Sequence, residues 1–257
     1  MSAGSGRRVA LVAGGTSGLG LAIGRGLAEA GFAVALGGRR VELARREAEA
    51  LPEAVGVELN IVDSGSVAAA VAAARESLGP IDVVVLNGGG PPPSAATDLD
   101  LDAARAAAEL LLHGPIGVLN HCLPSMRERS WGRVVAVGSS AVQQPIPGLA
   151  TSSMYRTALA SYLKLLAEEC APHGVTVNMV LPGRISTDRT AQLDAGAAQR
   201  TGRSVMEVRA ASQATIPMRR YGTAAEFAAM GVFLCSDQAR YVTGEQIRVD
   251  GGLVRAL

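Results

Sequence analysis

The first residues suited to chemistry form a glycine-rich string near the start of the chain. An apolar run, Val9 to Val12, leads directly into AGGTSGLG (residues 13–20), and an Ala/Leu-rich stretch follows. Glycines let a phosphate approach the backbone, and a helix N-terminus offers free N–H groups with a partial positive charge. A tight turn would also use glycines, but a position between strand and helix favours a dinucleotide site. The predicted cofactor contacts here are Gly14, Thr16, Ser17, Gly18, Leu19 and Gly20.

A second candidate for the same ligand follows the next apolar run. Enzymes that use NAD commonly present an acid at this point to the ribose hydroxyls, whereas this chain has Gly37, Gly38, Arg39 and Arg40. A missing acid and two guanidinium groups suit a 2′-phosphate, so we expect NADP(H), with NAD(H) as the alternative. The two arginines would also be compatible with the start of a solvated helix.

These residues need a scaffold, and the rest of the sequence predicts one. Short β-branched runs alternate with Ala/Leu-rich stretches over the 257 residues, as in a parallel sheet covered by helices. We predict an α/β fold: a single-domain, Rossmann-type, doubly wound sheet spanning residues 1–257. The predicted strands are Val9 to Val12, Ala33 to Leu36, Val55 to Leu59, Val83 to Leu86, Val134 to Val137, Val175 to Val180 and Gln246 to Val249. The predicted helices are Leu19 to Ala30, Val41 to Leu51, Ser66 to Leu78, Leu101 to Arg129, Ser152 to Ala171 and Ala224 to Cys235.

Two stretches break this alternation. Gly88 to Pro93 reads GGGPPP, which suits neither a helix nor a sheet ladder, and Ser186 to Gly222 carries no strand pattern. Each follows the carboxyl end of a predicted strand, where open α/β sheets bind their ligands. We expect residues 186–222 to cover the substrate.

Several later segments, together with the glycine string, resemble the short-chain dehydrogenase/reductase family over essentially the whole chain. The matching segments are LNGG (86–89), GRVVAVGS (132–139), NMVLPG (178–183) with Thr187-Asp188, VTG (242–244) and VDGG (249–252). The resemblance implies that Ser139 polarises a substrate carbonyl and that the protein is a homo-oligomer, a tetramer or a dimer. It assigns further cofactor contacts to Asn60, Asn87, Gly88, Pro182, Gly183, Ile185 and Thr187.

The sequence departs from this family at three positions. In the family, a Tyr is the general acid/base, a Lys one helical turn later lowers its pKa and holds the nicotinamide ribose, and an Asn on the preceding helix completes a proton relay. The matching positions here are Ser152, Arg156 and Leu111. Tyr155 has Leu159 one turn later, so no YxxxK pair exists. The resemblance therefore predicts catalytic positions at Ser139, Ser152 and Arg156, with Arg156 also holding the cofactor ribose. A subgroup similar to 3-oxoacyl-(acyl-carrier-protein) reductases shares the Ser and Arg.

Charge and polar residues elsewhere give weaker signals. From Arg184 to Arg220 there are seven arginines against Asp188, Asp194 and Glu207. This local excess would suit a phosphopantetheine thioester, a CoA or an acidic carrier protein, but a solvated amphipathic helix with ordinary ion pairs is the preferred interpretation. His113 lies two positions from Leu111 on the same helix, so the two side chains diverge and His113 is interpreted as a surface or packing residue.

Composition narrows the class of ligand. A net charge of +1 and a pI near 7.8 give no basic excess for nucleic acid or a membrane surface, so we expect a small-molecule ligand. Three widely separated cysteines offer no spacing for a metal site or redox pair and are interpreted as buried apolar residues. With no apolar run approaching the ~20 residues of a membrane span, we expect a cytoplasmic protein.

Two functions fit these observations. The first is an NADP(H)-dependent oxidoreductase that interconverts a carbonyl and an alcohol, with an acyl-thioester-like substrate held by Ser139. Its proton would come from water, from the substrate, or from Tyr155 after a shift of the helix. The second is a dinucleotide-binding but redox-silent sensor, scaffold or partner subunit, since an alcohol such as Ser152 is a far poorer proton donor than a phenol.

Overall fold

The computed structural model describes residues 7–256, which form one seven-stranded parallel sheet with helices on both faces. The strand order is β3-β2-β1-β4-β5-β6-β7. The strands are β1 (Val9–Ala13), β2 (Ala33–Gly38), β3 (Ala54–Glu58), β4 (Ile81–Leu86), β5 (Gly132–Val137), β6 (Val175–Pro182) and β7 (Gln246–Val249). All seven predicted strands are confirmed, and so is the Rossmann-type fold class.

The helices connect successive strands, and α1, α2, α3, α5, α6 and α9 pack against the sheet. They are α1 (Gly18–Glu29), α2 (Val41–Glu49), α3 (Ser64–Leu78), α4 (Leu101–Ala108), α5 (Gly114–Glu128), α6 (Ala150–Cys170), α7 (Asp188–Thr201), α8 (Val205–Thr215) and α9 (Ala224–Cys235). Within residues 7–256, no helix has both the length and the apolar character required to cross a membrane.

The core has two parts, one on each face of the sheet. On one face, Leu119 of α5 and Leu163 of α6 pack with inward side chains of the strands. On the other, Ile23 of α1 and Phe227 of α9 do the same. Because the central strands are buried on both faces, they read as continuous apolar runs without alternation. The strands therefore form a rigid base from which the loops at their carboxyl ends project.

Two predictions about helices need correction. The expected helix Leu101 to Arg129 is interrupted by a π-helical turn, Glu109–His113, which separates α4 from α5. The stretch Ser186 to Gly222 contains two helices, α7 and α8, which are missing from the list of predicted helices, although a solvated helix was one interpretation of its arginine excess. The Ser204–Glu207 capping box begins α8 and is visible in the sequence, but the apolar periodicity of both helices is weak because both are largely exposed.

The three cysteines are buried, as predicted. Burial raises the pKa of the Cys122 and Cys235 thiols to about 12. Thiols with such a high pKa remain protonated and unreactive at neutral pH, so these side chains act as small apolar groups.

Candidate functional site

The glycine loop lies where the strand order reverses, between β1 and β4. Asn87, which follows β4, donates from Nδ2 to the carbonyl oxygen of Gly14 at 2.9 Å and ties the two strand ends together. Gly14 has a φ of +64°, and a Cβ atom on Gly20 would lie 2.2 Å from the Gly14 oxygen. Only glycine therefore allows α1 to begin this close to the loop, and the crevice at such a reversal point is where doubly wound sheets bind ligands.

The start of α1 is open to a ligand. The Ser17 side chain precedes the helix but does not cap it, so the first N–H groups of α1 remain available for an anion. Arg40 reaches over from the end of β2, with Nη2 at 3.4 Å from Thr16 Oγ1 and 3.3 Å from Ser17 Oγ. Arg39 is exposed beside it. A cationic group thus borders the loop at the sheet edge predicted for an adenosine ribose.

Other predicted cofactor residues line the same edge of the sheet. Asn60 follows β3 and is half-buried, and Gly88 follows Asn87 and is exposed. After β6, Gly183 donates its N–H to Val249 O at 3.0 Å, which continues the pairing past Pro182. The Thr190 hydroxyl donates to Ile185 O at 2.6 Å.

Thr187 connects this segment to the glycine loop. Its side chain accepts a hydrogen bond from Thr190 N at 3.3 Å and begins α7. Its Cγ2 atom lies 4.0 Å from the position that a Cβ atom would take on Gly18. The segment after β6 therefore closes over the loop after β1, with the crevice between them.

Ser139 and the Arg156 guanidinium both lie at the carboxyl end of β5. Ser139 Oγ accepts a hydrogen bond from Ala141 N at 3.1 Å, and Arg156 Nη1 donates to Val137 O at 2.9 Å and Gly138 O at 3.2 Å. Burial, followed by the positive charge of Arg189, lowers the pKa of Arg156 to about 10. Arg156 is still protonated at neutral pH, so it can bind an anion or hydroxyl groups but cannot shuttle a proton.

Ser152 lies one helical turn before Arg156 on α6. Both side chains project from the side of α6 that buries Leu159 and Leu163. Tyr155 lies about 60° around the helix from Ser152. Of these three side chains, Arg156 is the one that bonds to the end of β5, through Val137 O and Gly138 O.

Leu111 occupies the π-helical turn beside α6 and is buried. It offers no polar side-chain atom to a proton relay. His113 is exposed and pairs with Glu109 through Nδ1 and Oε1 at 2.8 Å, which agrees with its interpretation as a surface residue.

The GGGPPP loop is fastened to the start of α6 through Ser94, a residue that the sequence did not single out. Ser94 Oγ lies 2.5 Å from Thr151 Oγ1 and accepts from Thr151 N at 3.1 Å. Backbone bonds from Ser94 N to Gly148 O and from Ala150 N to Ser94 O complete the attachment. Ser94 is therefore a positioning residue for the helix turn that carries Ser152. It lies in an irregular loop with no periodic pattern, so no sequence signal identifies it.

A buried polar contact anchors α7, and it too was missed. The Tyr221 hydroxyl donates to both carboxylate oxygens of Asp194, at 3.2 and 3.0 Å, and Arg184 lies 3.9 Å from the same carboxylate. Asp194 is only 4% exposed and Tyr221 6%. Burial and the neighbouring Asp194 raise the pKa of Tyr221, so the phenol stays protonated and can donate. This contact holds α7 against the segment that follows α8.

Tyr221→Phe is expected to loosen α7 and α8 without unfolding the sheet. The variant leaves a buried carboxylate without its hydroxyl donor, which costs about 1–3 kcal/mol. Hydrogen exchange of the α7 and α8 amides should become about 10- to 30-fold faster, because an opening free energy lowered by about 1.4 kcal/mol gives a tenfold change.

Tyr241→Phe is the matched control, since Tyr241 is 100% exposed. Its exchange rates should equal those of the wild type. Unchanged α7 and α8 exchange in Tyr221→Phe would show that the Asp194 contact does not anchor this segment.

The chain matches a family model and is similar to several known proteins. A family model described as enoyl-(acyl carrier protein) reductase matches residues 13–254. The 3-oxoacyl-(acyl-carrier-protein) reductase of Aquifex aeolicus is 33% identical over 251 residues, covering 96% of this chain and 97% of the relative.

Two solved structures are similar over nearly all of their length. An actinorhodin polyketide ketoreductase variant with NADPH is 32% identical, with a TM-score of 0.93, and the match covers 97% of this chain and 98% of that chain. The L-sorbose reductase of Gluconobacter frateurii, complexed with NADPH and L-sorbose, is 27% identical, with a TM-score of 0.92 and complete coverage of both chains.

Proposed function

This chain belongs to the short-chain dehydrogenase/reductase family, and on that premise we propose that it is an NADP(H)-dependent oxidoreductase acting on a carbonyl or alcohol group. The observation that carries the proposal is the crevice between β1 and β4. There, the glycine loop, the open start of α1 and Arg40 fit a dinucleotide phosphate, and Ser139 lies on the neighbouring strand end.

NADP(H) is the cofactor in this proposal. The space left by Gly14 and Gly20 suits the pyrophosphate, and Arg40, with Arg39 beside it, suits a 2′-phosphate. Two of the similar solved structures are described with NADPH. The remaining predicted contacts, from Asn60 and Asn87 to Pro182, Gly183, Ile185 and Thr187, would hold the ribose and nicotinamide ends.

The active site is atypical for the family in this proposal. Bound NADPH supplies a hydride; Ser139 binds the substrate oxygen, and Arg156 holds the nicotinamide ribose while its charge favours negative charge on that oxygen. Ser152 and Arg156 stand at the positions of the family's Tyr and Lys. Because Arg156 cannot release its proton, water or the substrate itself supplies the proton that the alkoxide requires.

The substrate is 3-oxoacyl-like, as in the Aquifex relative's name, and residues 186–222 cover it. The assembly in this proposal is a homo-oligomer. The four neighbouring loops after β1, β4, β5 and β6 converge on one edge of the sheet, so a single crevice would hold both cofactor and substrate.

A two-step assay tests the proposal. NADPH is first titrated by fluorescence, and its oxidation is then followed with a panel of 3-oxoacyl thioesters, 3-oxo acids and small ketones. We expect binding and measurable turnover with at least one member. Binding without turnover across the panel would instead favour a redox-silent dinucleotide-binding protein, and no binding of either dinucleotide would refute both functions.

Arg40→Gln is expected to weaken NADPH binding about tenfold and to leave NADH binding unchanged. The variant removes one charge-assisted contact to the 2′-phosphate, and such contacts contribute about 1.5–3 kcal/mol when shielded and less at an exposed site. Fluorescence titrations with NADPH and with NADH measure the two dissociation constants, whose ratio should change.

Arg45→Gln provides the control for charge, because Arg45 lies on α2 and pairs with Glu42 at the surface. It should bind NADPH like the wild type. An equal loss for NADPH and NADH in Arg40→Gln would contradict a role in reading the 2′-phosphate.

A further inference from the structure

Two arginines approach the site from different strand ends. Arg156 is held by its bonds to Val137 O and Gly138 O, next to Ser139 at the end of β5. Arg189 lies in the first turn of α7, after β6, and its Nη2 atom is 4.0 Å from the position that a Cβ atom would take on Gly90, after β4. Because β4, β5 and β6 are neighbours in the sheet, the segments that carry these arginines follow adjacent strand ends, and the charge of Arg189 acts on Arg156.

Neither guanidinium group is neutralised by an acid in the part of the chain that the structure describes. Between Arg184 and Arg220, two arginines are paired there: Arg220 with Glu226 through a bidentate contact, and Arg184 with Asp194 at 3.9 Å. Arg200, Arg203, Arg209 and Arg219 form no ion pair among the described residues. Arg156 and Arg189 form no such ion pair among residues 7–256. Their mutual repulsion is one cause of the lowered pKa of Arg156. A bound anion would relieve both the repulsion and the burial of an unpaired charge.

We propose that Arg189, aided by the charge of the neighbouring Arg156, forms an anion subsite that binds a carboxylate of the substrate, close to the carbonyl that Ser139 binds. This inference rests on the proposed function and narrows its 3-oxoacyl-like substrate to a short oxo acid with a free carboxylate in place of the thioester. Guanidinium groups match a carboxylate in a planar, bidentate geometry.

The position of the subsite favours a carboxylate over a phosphate. The phosphates of the cofactor are assigned to the glycine loop and Arg40. The phosphate of a phosphopantetheine thioester is separated from the reacting carbonyl by a long chain, so it would not reach a guanidinium beside Ser139. A carboxylate that lies within a few bonds of the reacting carbonyl would reach such a guanidinium.

Malonate, an unreactive dicarboxylate, is the probe for binding. Isothermal titration of malonate into NADPH-saturated protein should show an affinity about tenfold lower in Arg189→Gln than in the wild type, because one charge-assisted pair is lost. Arg189 is exposed, so the variant is expected to fold. Arg46→Gln, at an exposed position on α2 outside the substrate-covering segment, removes the same charge and should leave malonate affinity unchanged.

Turnover kinetics provide an independent test of the anion subsite. The ratio of kcat/KM for acetoacetate to that for ethyl acetoacetate should fall about tenfold in Arg189→Gln and stay constant in Arg46→Gln. Equal malonate affinity in Arg189→Gln and the wild type, or no malonate binding in either, would overturn the subsite. So would a loss of NADPH affinity in Arg189→Gln without a change in the acid-to-ester ratio, because Arg189 would then contact the cofactor.

The two proposals can fail separately. Malonate binding that depends on Arg189 without turnover of any oxo substrate would support the anion subsite and refute the reductase function. Turnover of neutral ketones with an acid-to-ester ratio that is the same in Arg189→Gln and the wild type would support the reductase function and refute the subsite.

Discussion

The double variant Ser152→Tyr/Arg156→Lys is expected to reduce a ketone about 10² to 10⁴ times faster than the wild type, the range that a positioned general acid contributes. The side chains at 152 and 156 are one turn apart on the same side of α6, and the Arg156 guanidinium already reaches the end of β5 beside Ser139. A phenol at 152 would donate the proton that water or substrate must otherwise supply. A neighbouring ammonium group at 156 would lower the pKa of that phenol. Steady-state oxidation of NADPH measures the gain.

Ser152→Phe/Arg156→Lys is the control for this gain. Phe has the size and shape of Tyr without the hydroxyl, so it tests proton donation separately from packing and from the change at 156. The Tyr variant should also lose activity as pH rises through the lowered pKa of its phenol, since reduction requires the protonated form. A folded Tyr variant no faster than the Phe variant would contradict the assignment of position 152.

The strands were predictable because a parallel sheet buried on both faces requires continuous apolar runs. The predicted strand Val83 to Leu86 shows both the strength and the limit of this signal. The observed strand β4 begins two residues earlier, at Ile81, and the Asp82 side chain accepts a hydrogen bond from Val9 N at 2.9 Å. Similarly, β6 continues to Pro182 because it pairs there with Val249 of β7. Pairing partners set these ends, and local sequence does not encode them.

The site was predictable where one residue type is required by a close approach of backbone or ligand. The glycine string satisfies this condition, since a side chain at Gly20 would overlap the backbone of Gly14. This condition does not apply to Ser94, Asp194 and Tyr221. Their roles come from contacts between segments that are far apart in sequence. Arg189 was visible as one member of an arginine excess, but only the convergence of the β4, β5 and β6 loops distinguishes it from Arg200, which is equally exposed.

Gly20→Ala is expected to weaken NADPH binding about 30- to 100-fold. The new Cβ atom would lie 2.2 Å from Gly14 O and 2.6 Å from Asn87 Nδ2, so the loop, the start of α1, or both must move. Forcing one extra carbon into such a tightly packed position costs about 1–3 kcal/mol. The strain falls on the Asn87–Gly14 contact that shapes the phosphate crevice, so cofactor affinity should suffer in addition to stability. Fluorescence titration with NADPH and thermal unfolding of the free protein measure the two effects.

Gly117→Ala separates this steric effect from the general consequences of replacing glycine in a helix. Gly117 lies within α5, and a Cβ atom there would meet nothing within 4 Å. Alanine should therefore stabilise the helix by up to about 1 kcal/mol and leave NADPH affinity unchanged. If Gly20→Ala bound NADPH as tightly as Gly117→Ala does, the close approach of α1 to Gly14 would not be a requirement for binding. The pyrophosphate would then have to be held elsewhere than at the reversal point between β1 and β4.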